Sequence, residues 1–376
     1  MKVAIDVSIL SAPEPTGVER VLETIIDGVL ATPVDLELVL CSPAEDPCPR
    51  RLTWKNDSRV TIPPPVTGAL ANAPLWFWRE SVLPRFLGQV GAEVVHSPVV
   101  AIPLRAPCPK IATVHELPWL HEKVETESSA PHRLATQLAV TFASRIICVS
   151  EGTRADLLKQ FPDVGGKVDV ISNALAPHFS AESSTAWPSS LRGDERPFVL
   201  AVGRLRSKKN LECLADVLEE PRFHLWRLVL VGPDGDAADA LRQRASGRLV
   251  VTGYVSDGEL SCLYRHASAL VMPSHLEGFG LPVLESMALG TPVVASRQGP
   301  VKELAEGVAE IFDAGDPACL SEVLYAVLTD EKLRADCVER GLERAAEFDV
   351  SRAVEAIVDL WAKVGVEREG AVESPR

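Results

Sequence analysis

The chain of 376 residues has eight cysteines, at positions 41, 48, 108, 148, 213, 262, 319 and 337, but no C-x-x-C pair among them. Cys148, Cys213 and Cys262 fall in apolar-periodic segments, so the cysteines read as buried free thiols of a reducing compartment. No apolar run approaches the ~18 residues that a bilayer-spanning helix needs. No secretory leader is visible, because residues 1–6 run straight into a strand broken by Asp6. These absences together predict a cytoplasmic protein. Positive charge is also in short supply: 38 Lys and Arg stand against 52 Asp and Glu, a net charge of −14. Such a chain is a poor partner for nucleic acid or an anionic membrane surface, although net charge says little about one local phosphate site. The turn after the first strand lacks G-x-G-x-x-G. It holds only Gly17, which removes most of the support for a nicotinamide dehydrogenase.

What is present is ordinary globular material, 46% hydrophobic and 24% charged, long enough for two domains. Strand–helix alternation recurs through both halves, three units in each, and predicts an α/β protein with two doubly wound domains. The Ser- and Pro-bearing stretch 180–196 reads as a linker, giving domains at 1–185 and 186–376. The last helix, about 350–365, is expected to pack back on the first domain. Residues 74–89 read as one amphipathic helix that packs Trp76, Phe77 and Trp78 on a sheet. A membrane-surface helix, with Arg79 and Arg85 beside the rings, is the weaker alternative. His115 and Glu116 follow a strand at 111–114, where active-site loops lie. The segment onward to Pro131, with Glu122, Glu125, Glu127 and several hydroxyls, reads as a long polar loop.

The densest pattern is His275-Leu276-Glu277-Gly278-Phe279-Gly280-Leu281-Pro282-Val283-Leu284-Glu285. A short apolar strand at 269–272 precedes it. Pro282 can open a helix, Gly290 can cap it and Pro292 stops it. Glu277 then lies in a loop at the carboxyl end of a strand. Glu285, eight positions on, is expected in the first helical turn, where the dipole favours an anion. Both can face one crevice, and Gly278 and Gly280 leave backbone N–H groups open to a sugar or phosphate. A second pattern is Arg204-Leu205-Arg206-Ser207-Lys208-Lys209-Asn210, four cations just before a helix. That placement opposes the dipole unless an anion binds among them. Asp234-Gly235-Asp236 spells D-x-D, but acidic turn residues after a strand need no metal.

The stretch EGFGLPVLESMALGTPVVAS, with its Glu-x7-Glu spacing, resembles the donor-site signature of the retaining glycosyltransferase family 4. That resemblance implies the GT-B architecture, two Rossmann-like domains facing across a cleft. The basic segment resembles the family's GR…KN loop, which holds the donor diphosphate. Arg204 and Lys209 match it, with a spacing one residue shorter than the commonest form, so Lys208 and Lys209 both remain open for the second cation. Thr16-Gly17-Val18-Glu19-Arg20 resembles the glycine turn that approaches the donor diphosphate or the acceptor. TVHELPWLHE resembles the segment whose histidine, here His115, faces the donor sugar.

The resemblance further implies that Tyr254-Val255 lies beside the base and that Glu285 accepts from the ribose. Glu277, with the backbone of Gly278, Phe279, Gly280 and Leu281, would orient the sugar. The implied activity moves a hexose-type sugar from a GDP- or UDP-linked donor to a hydroxyl of a glycan, lipid-linked saccharide or natural product. It would proceed with retention, without cofactor or metal, the acceptor itself being the nucleophile. Expected partners are that donor and acceptor and no nucleic acid. Peripheral membrane contact and oligomeric state stay open. A GT-B-fold epimerase or phosphorylase would use similar phosphate chemistry. A catalytically silent subunit is disfavoured by the intact Arg204, Lys209, Glu277 and Glu285.

Overall fold

Val3, Ile5 and Val7 belong to one apolar cluster, while Ala4, Val39 and Cys41 belong to another. That alternation means a strand buried on both faces, as in a parallel sheet covered by helices on both sides. The computed structural model describes residues 1–11, 14–43, 52–64, 66–67, 73–120, 129–179, 186–244 and 247–372, without the side chains of 129 and 367–372. Cys48, the polar positions 122–128 and linker residues 180–185 lie outside the described residues. The chain divides into two units. One comprises Met1–Trp119, Thr126–Ala174 and Val350–Arg376, the other Leu120–Glu125 and Leu175–Asp349.

The first unit runs β1 (Lys2–Asp6), α1 (Gly17–Ala31), β2 (Glu37–Cys41), β3 (Val60–Thr61), α2 (Leu75–Phe77), α3 (Leu83–Val90), β4 (Val94–Ser97), β5 (Lys110–Val114), α4 (Ser129–Phe142), β6 (Arg145–Cys148), α5 (Glu151–Gln160) and β7 (Val168–Val170). Its seven strands lie parallel in the order β3-β2-β1-β4-β5-β6-β7. The second unit runs β8 (Phe198–Val202), α6 (Leu211–Glu219), β9 (Arg227–Val231), α7 (Ala238–Arg244), β10 (Leu249–Gly253), α8 (Asp257–His266), β11 (Ala269–Met272), α9 (Leu281–Ala288), β12 (Val293–Ser296), α10 (Gly299–Ala305), β13 (Glu310–Phe312), α11 (Pro317–Thr329) and α12 (Glu331–Ala345). Its six strands are ordered β10-β9-β8-β11-β12-β13, again parallel. Each sheet reverses direction once, between β1 and β4 and between β8 and β11. A doubly wound sheet opens a crevice at such a point.

The final helix, α13 (Val350–Val372), belongs to the first unit and buries Val354, Ile357, Leu360, Trp361 and Val364 with α1 and β1. Three local expectations change. The segment 74–89 is not one regular helix, because a π-helical turn, Trp78–Val82, separates α2 from α3. Its rings do not act together either: Trp78 is buried in the core and Trp76 is exposed. The π turn carries Arg79, whose Nε donates to Asp6 Oδ2 at 2.7 Å. Buried Asp6 therefore ends β1 as half of an ion pair and does not break the strand. Pro131 is no longer loop, since α4 already begins at Ser129. The seven described cysteines are free thiols, and no described helix is long and apolar enough to cross a membrane.

His96 of β4 sits inside the first unit, 6% exposed. Trp361 donates its indole N–H to His96 Nδ1 at 3.2 Å, and His96 Nε2 lies 2.9 Å from Thr113 Oγ1 on β5. With Nδ1 accepting, the proton sits on Nε2, so the imidazole is neutral. Burial, reinforced by His115, holds its pKa down to about 4 from the ordinary 6.5. The unfolded chain takes up this proton as pH falls through 6.5, whereas the folded chain does so only near 4. The contribution of neutral His96 is thus full above that range and is lost as pH falls across it. His96→Gln keeps a donor and an acceptor but cannot titrate. Urea unfolding from pH 7 to 5 should show wild-type stability falling relative to the variant by about 1.4 kcal/mol per pH unit below pH 6. Parallel curves for the two proteins would refute the assignment.

Candidate active site

The carboxyl ends of β8 and β11, neighbours at the switch point of the second sheet, carry the two sequence patterns. The basic loop after β8 is held by backbone: Gly203 N donates to Val231 O at 2.8 Å and Leu205 N to Pro233 O at 3.0 Å. The loops after β8 and β9 meet so closely that a Cβ on Gly232, whose φ is +144°, would lie 2.2 Å from Gly203 O. Only glycine fits there. The acidic turn closes the same loop. Asp236 accepts from Ser207 N at 3.1 Å and from Ser207 Oγ at 2.9 Å, and Asp234 pairs with Arg242 at 2.5 Å. The D-x-D spelling is thus occupied in shaping the basic loop.

Lys209 ends a 3-10 turn, Ser207–Lys209, and Asn210 follows with a left-handed φ of 53° to start α6. From there Lys209 Nζ reaches Glu277 Oε1 at 2.5 Å, with both side chains largely buried. Ser274, three residues before Glu277, donates to the same Oε1 at 2.6 Å, and Ser296 of β12 holds the Ser274 carbonyl at 2.6 Å. Both partners of the carboxylate land on one oxygen, so Oε2 makes no hydrogen bond with the described residues. Burial pushes the Glu277 carboxyl upward, but the charges of Lys209 and Lys208 and the bonds from Lys209 and Ser274 outweigh it. The net pKa lies below the ordinary carboxyl value, and Glu277 is ionised at neutral pH. Arg204 donates once, from Nη1 to Asp234 O at 2.9 Å. Among the described residues its other N–H groups, and two of the three protons on Lys209 Nζ, have no protein acceptor.

Helix α9 starts one residue earlier than expected. Gly280, at φ 101°, caps it, Leu281 is its first residue and Pro282 its second. Glu285 is therefore the fifth residue, and no acidic side chain occupies the first turn. The helix dipole is weaker there, so local partners replace it. Glu285 is 4% exposed and accepts a 2.6 Å hydrogen bond at Oε2 from Tyr264 of α8. Phe279 is also buried and meets Phe348 edge-on, with centroids 5.7 Å apart. Gly278 and Leu281 are partly accessible, and Val255 is buried in the turn between β10 and α8.

In the first unit Gly17 is exposed as the first residue of α1, and Thr16 before it donates its N–H to the Glu19 carboxylate at 2.9 Å. His115 follows β5 and donates Nε2–H to Pro98 O at 2.9 Å. Burial lowers its pKa, against upward effects of that bond, Glu116 and Glu19. His96, Thr113, His115, Ser172 and Asn173 form the polar part of a mainly apolar cavity of about 40 Å³. The structure thus joins Lys209 to Glu277, places Arg204 and Glu285 on the same sheet unit, and sets Gly17 and His115 in the other unit. Sequence reading passed over Ser274, Ser296, Tyr264 and Asp236 as site residues. Only Ser274, three positions before Glu277, had a local signal.

Comparison with known proteins covers both units. Residues 184–344 match the family model described as glycosyl transferases group 1, and residues 15–179 match the one described as glycosyltransferase family 4. The chain is 28% identical to an O-antigen chain mannosyltransferase B of Escherichia coli over 218 residues, 55% of this chain and 57% of that protein. It resembles the solved sucrose-phosphate synthase of Thermosynechococcus elongatus at a TM-score of 0.78 and 17% identity, over 98% of this chain and 100% of that one. Anabaena HepE, solved in complex with UDP and glucose, resembles it at a TM-score of 0.72 and 20% identity, over 96% of this chain and 100% of that one. At such identities the structures show the shared fold. The matched region spans 57%, 66% and 48% of the first curated relatives, about half to two thirds of their length.

Removing the Lys209 ammonium would leave Glu277 as a buried charge with Ser274 as its remaining donor. Lys209→Met should therefore cost about 3 kcal/mol of stability. Adding Glu277→Gln should recover most of that loss. Urea denaturation of the three variants at pH 7 measures it, and additive losses in the double variant would show that the two side chains are not coupled.

Proposed function

The chain belongs to the glycosyl transferases of group 1 and family 4, with their GT-B fold, and from that premise we propose that it transfers a hexose-type sugar from a nucleotide-diphosphate sugar to a hydroxyl acceptor. The observation that carries the reading is the set of unspent groups at the carboxyl ends of β8 and β11. Among the described residues Arg204 and Lys209 keep N–H donors without an acceptor, and Lys209 pairs with a carboxylate whose Oε2 has no hydrogen-bond partner. Two cations suit a diphosphate, and an ionised acceptor suits sugar hydroxyls. Arg204 and Lys209 would stabilise the charge that gathers on the departing diphosphate, because donors already in place need no rearrangement during reaction. Glu277, with the backbone of Gly278–Leu281, would orient the sugar, and Glu285 would accept from the ribose. Val255 would lie beside the base. His115, neutral by burial, would act as a hydrogen-bonding group and not as a cation. Gly17 would approach the donor diphosphate or the acceptor through its backbone.

The proposed stereochemical course is retention. The acceptor oxygen forms its bond to the anomeric carbon on the face from which the phosphate oxygen departs. The acceptor's proton passes to that phosphate, so no residue of the protein forms a covalent intermediate. GDP- and UDP-linked hexoses are the proposed donors. Glycans, lipid-linked saccharides and natural products are the proposed acceptors, in a cytoplasmic setting. HepE having been solved with UDP and glucose supports a uridine donor by analogy alone.

Calorimetry of the full chain with UDP, GDP and ADP tests the donor site. At least one should bind, and failure of all three at millimolar concentration would refute the reading. The two carboxylates separate by kind of loss. Glu285→Gln should weaken nucleoside-diphosphate binding and raise the donor KM, because the ribose changes little on the way to the transition state. Glu277→Gln should leave nucleoside-diphosphate affinity within about twofold and lower kcat by about 10²-fold, since its partner gains positive character. Equal effects on Kd and kcat would abolish this division of roles.

The metal-independent course is tested separately. EDTA should leave turnover unchanged, because Asp234 and Asp236 already serve Arg242 and Ser207. Loss of activity restored by magnesium or manganese would overturn it.

A further inference from the structure

Tyr264 is fully buried in α8, and a phenylalanine would fill the same space. Its hydroxyl is therefore what distinguishes it, and a buried hydroxyl without a partner would be costly. That hydroxyl donates to Glu285 Oε2 at 2.6 Å, joining α8 to α9 across 21 positions of sequence. Glu285 is itself 4% exposed, and a buried carboxylate likewise requires donors. The tyrosine has little freedom to move. Thr291 Oγ1 donates to its backbone carbonyl, and Phe179, also fully buried, meets its ring edge-on at 6.0 Å and 77°. A donor fixed on two sides holds one carboxylate oxygen in place and so restricts the rotation of that carboxylate about its last bond.

We propose that Tyr264 is a positioning residue for nucleotide recognition, orienting the Glu285 carboxylate toward the two ribose hydroxyls of a nucleoside diphosphate. This rests on the proposed role of Glu285. The hydroxyl acts on binding through the carboxylate and touches neither the sugar nor the reacting bond. Its loss belongs in ribose recognition and not in the chemical step.

The test uses Tyr264→Phe in the full chain and calorimetric titration with UDP, GDP and ADP, each beside its 2′-deoxy form. For whichever base the wild type binds, the 2′-deoxy form should bind more weakly. Tyr264→Phe should raise the Kd of the ribose form about tenfold. It should change the Kd of the 2′-deoxy form by less than about threefold, so that the discrimination between them shrinks. Turnover should show the loss in KM, with kcat within about twofold. In a Glu285→Gln background the same substitution should add nothing, since the acceptor it orients is already weakened. Affinity is read from folded molecules alone and the titration stoichiometry counts them, so partial unfolding does not imitate the result. Equal weakening of both nucleotide forms, unchanged ribose-form affinity, or a full further loss in the Glu285→Gln background would each overturn the inference while leaving the donor-site reading intact. A wild type that binds none of the six nucleotides would overturn that reading, and this inference with it.

Discussion

The ion pair between Lys209 and Glu277 ties together the two loops on which the second unit's site is built. A carboxylate buried beside strand ends is unfavourable unless charge and hydrogen bonds offset the lost hydration. Lys209 supplies the charge, Ser274 a hydrogen bond, and Ser296 fixes Ser274. The arrangement is lopsided, with both donors on Oε1, so among the described residues Oε2 and several N–H groups of Arg204 and Lys209 have no hydrogen-bond partner. The same contact explains why four cations are tolerated before α6. One of them is neutralised from outside the loop, and Arg204 has turned toward a backbone carbonyl.

This pairing depends in turn on the backbone of the loops after β8 and β9. Gly232 lets the two chains approach within a distance that any side chain would forbid, and Asp236 pins Ser207. The basic loop is thereby presented as a fixed surface, and preorganised donors are worth more to catalysis than mobile ones. In the first unit the corresponding constraint is apolar. Trp361, from the last helix, and Thr113 enclose His96 as a neutral ring, and burial does the same for His115. The polar groups buried there are neutral, whereas the strand ends of the second unit carry the charged pair Lys209–Glu277.

Much of the strand inventory was legible from local pattern. The strand at 269–272 has the bounds read from the sequence, and the strand at 111–114 begins one residue earlier than read. Short apolar runs closed by turn residues carry their own boundaries. The segment 74–89 was misjudged because its π turn answers to the buried Asp6, 73 positions from Arg79, and no local window contains that partner. The two-residue β3 and the seven-residue α7 are too short to show a clear period, and α4 begins inside the stretch read as loop.

By itself the sequence determined two doubly wound α/β units, the family to which they belong, and the positions of Arg204, Lys209 and Glu277 relative to strand and helix ends. The units and positions follow from periodicity and turn chemistry within a few residues, and the family from the resemblance of two short motifs. Only the tertiary structure decided which oxygen of Glu277 the described residues hold, that Glu285 lies one turn inside α9 under the hydroxyl of Tyr264, and that the acidic turn serves the basic loop. Lys209, Tyr264 and Ser207 lie 68, 21 and 29 positions from the carboxylates they meet. Such contacts are created by strand order and by the requirement that every buried polar group find a partner.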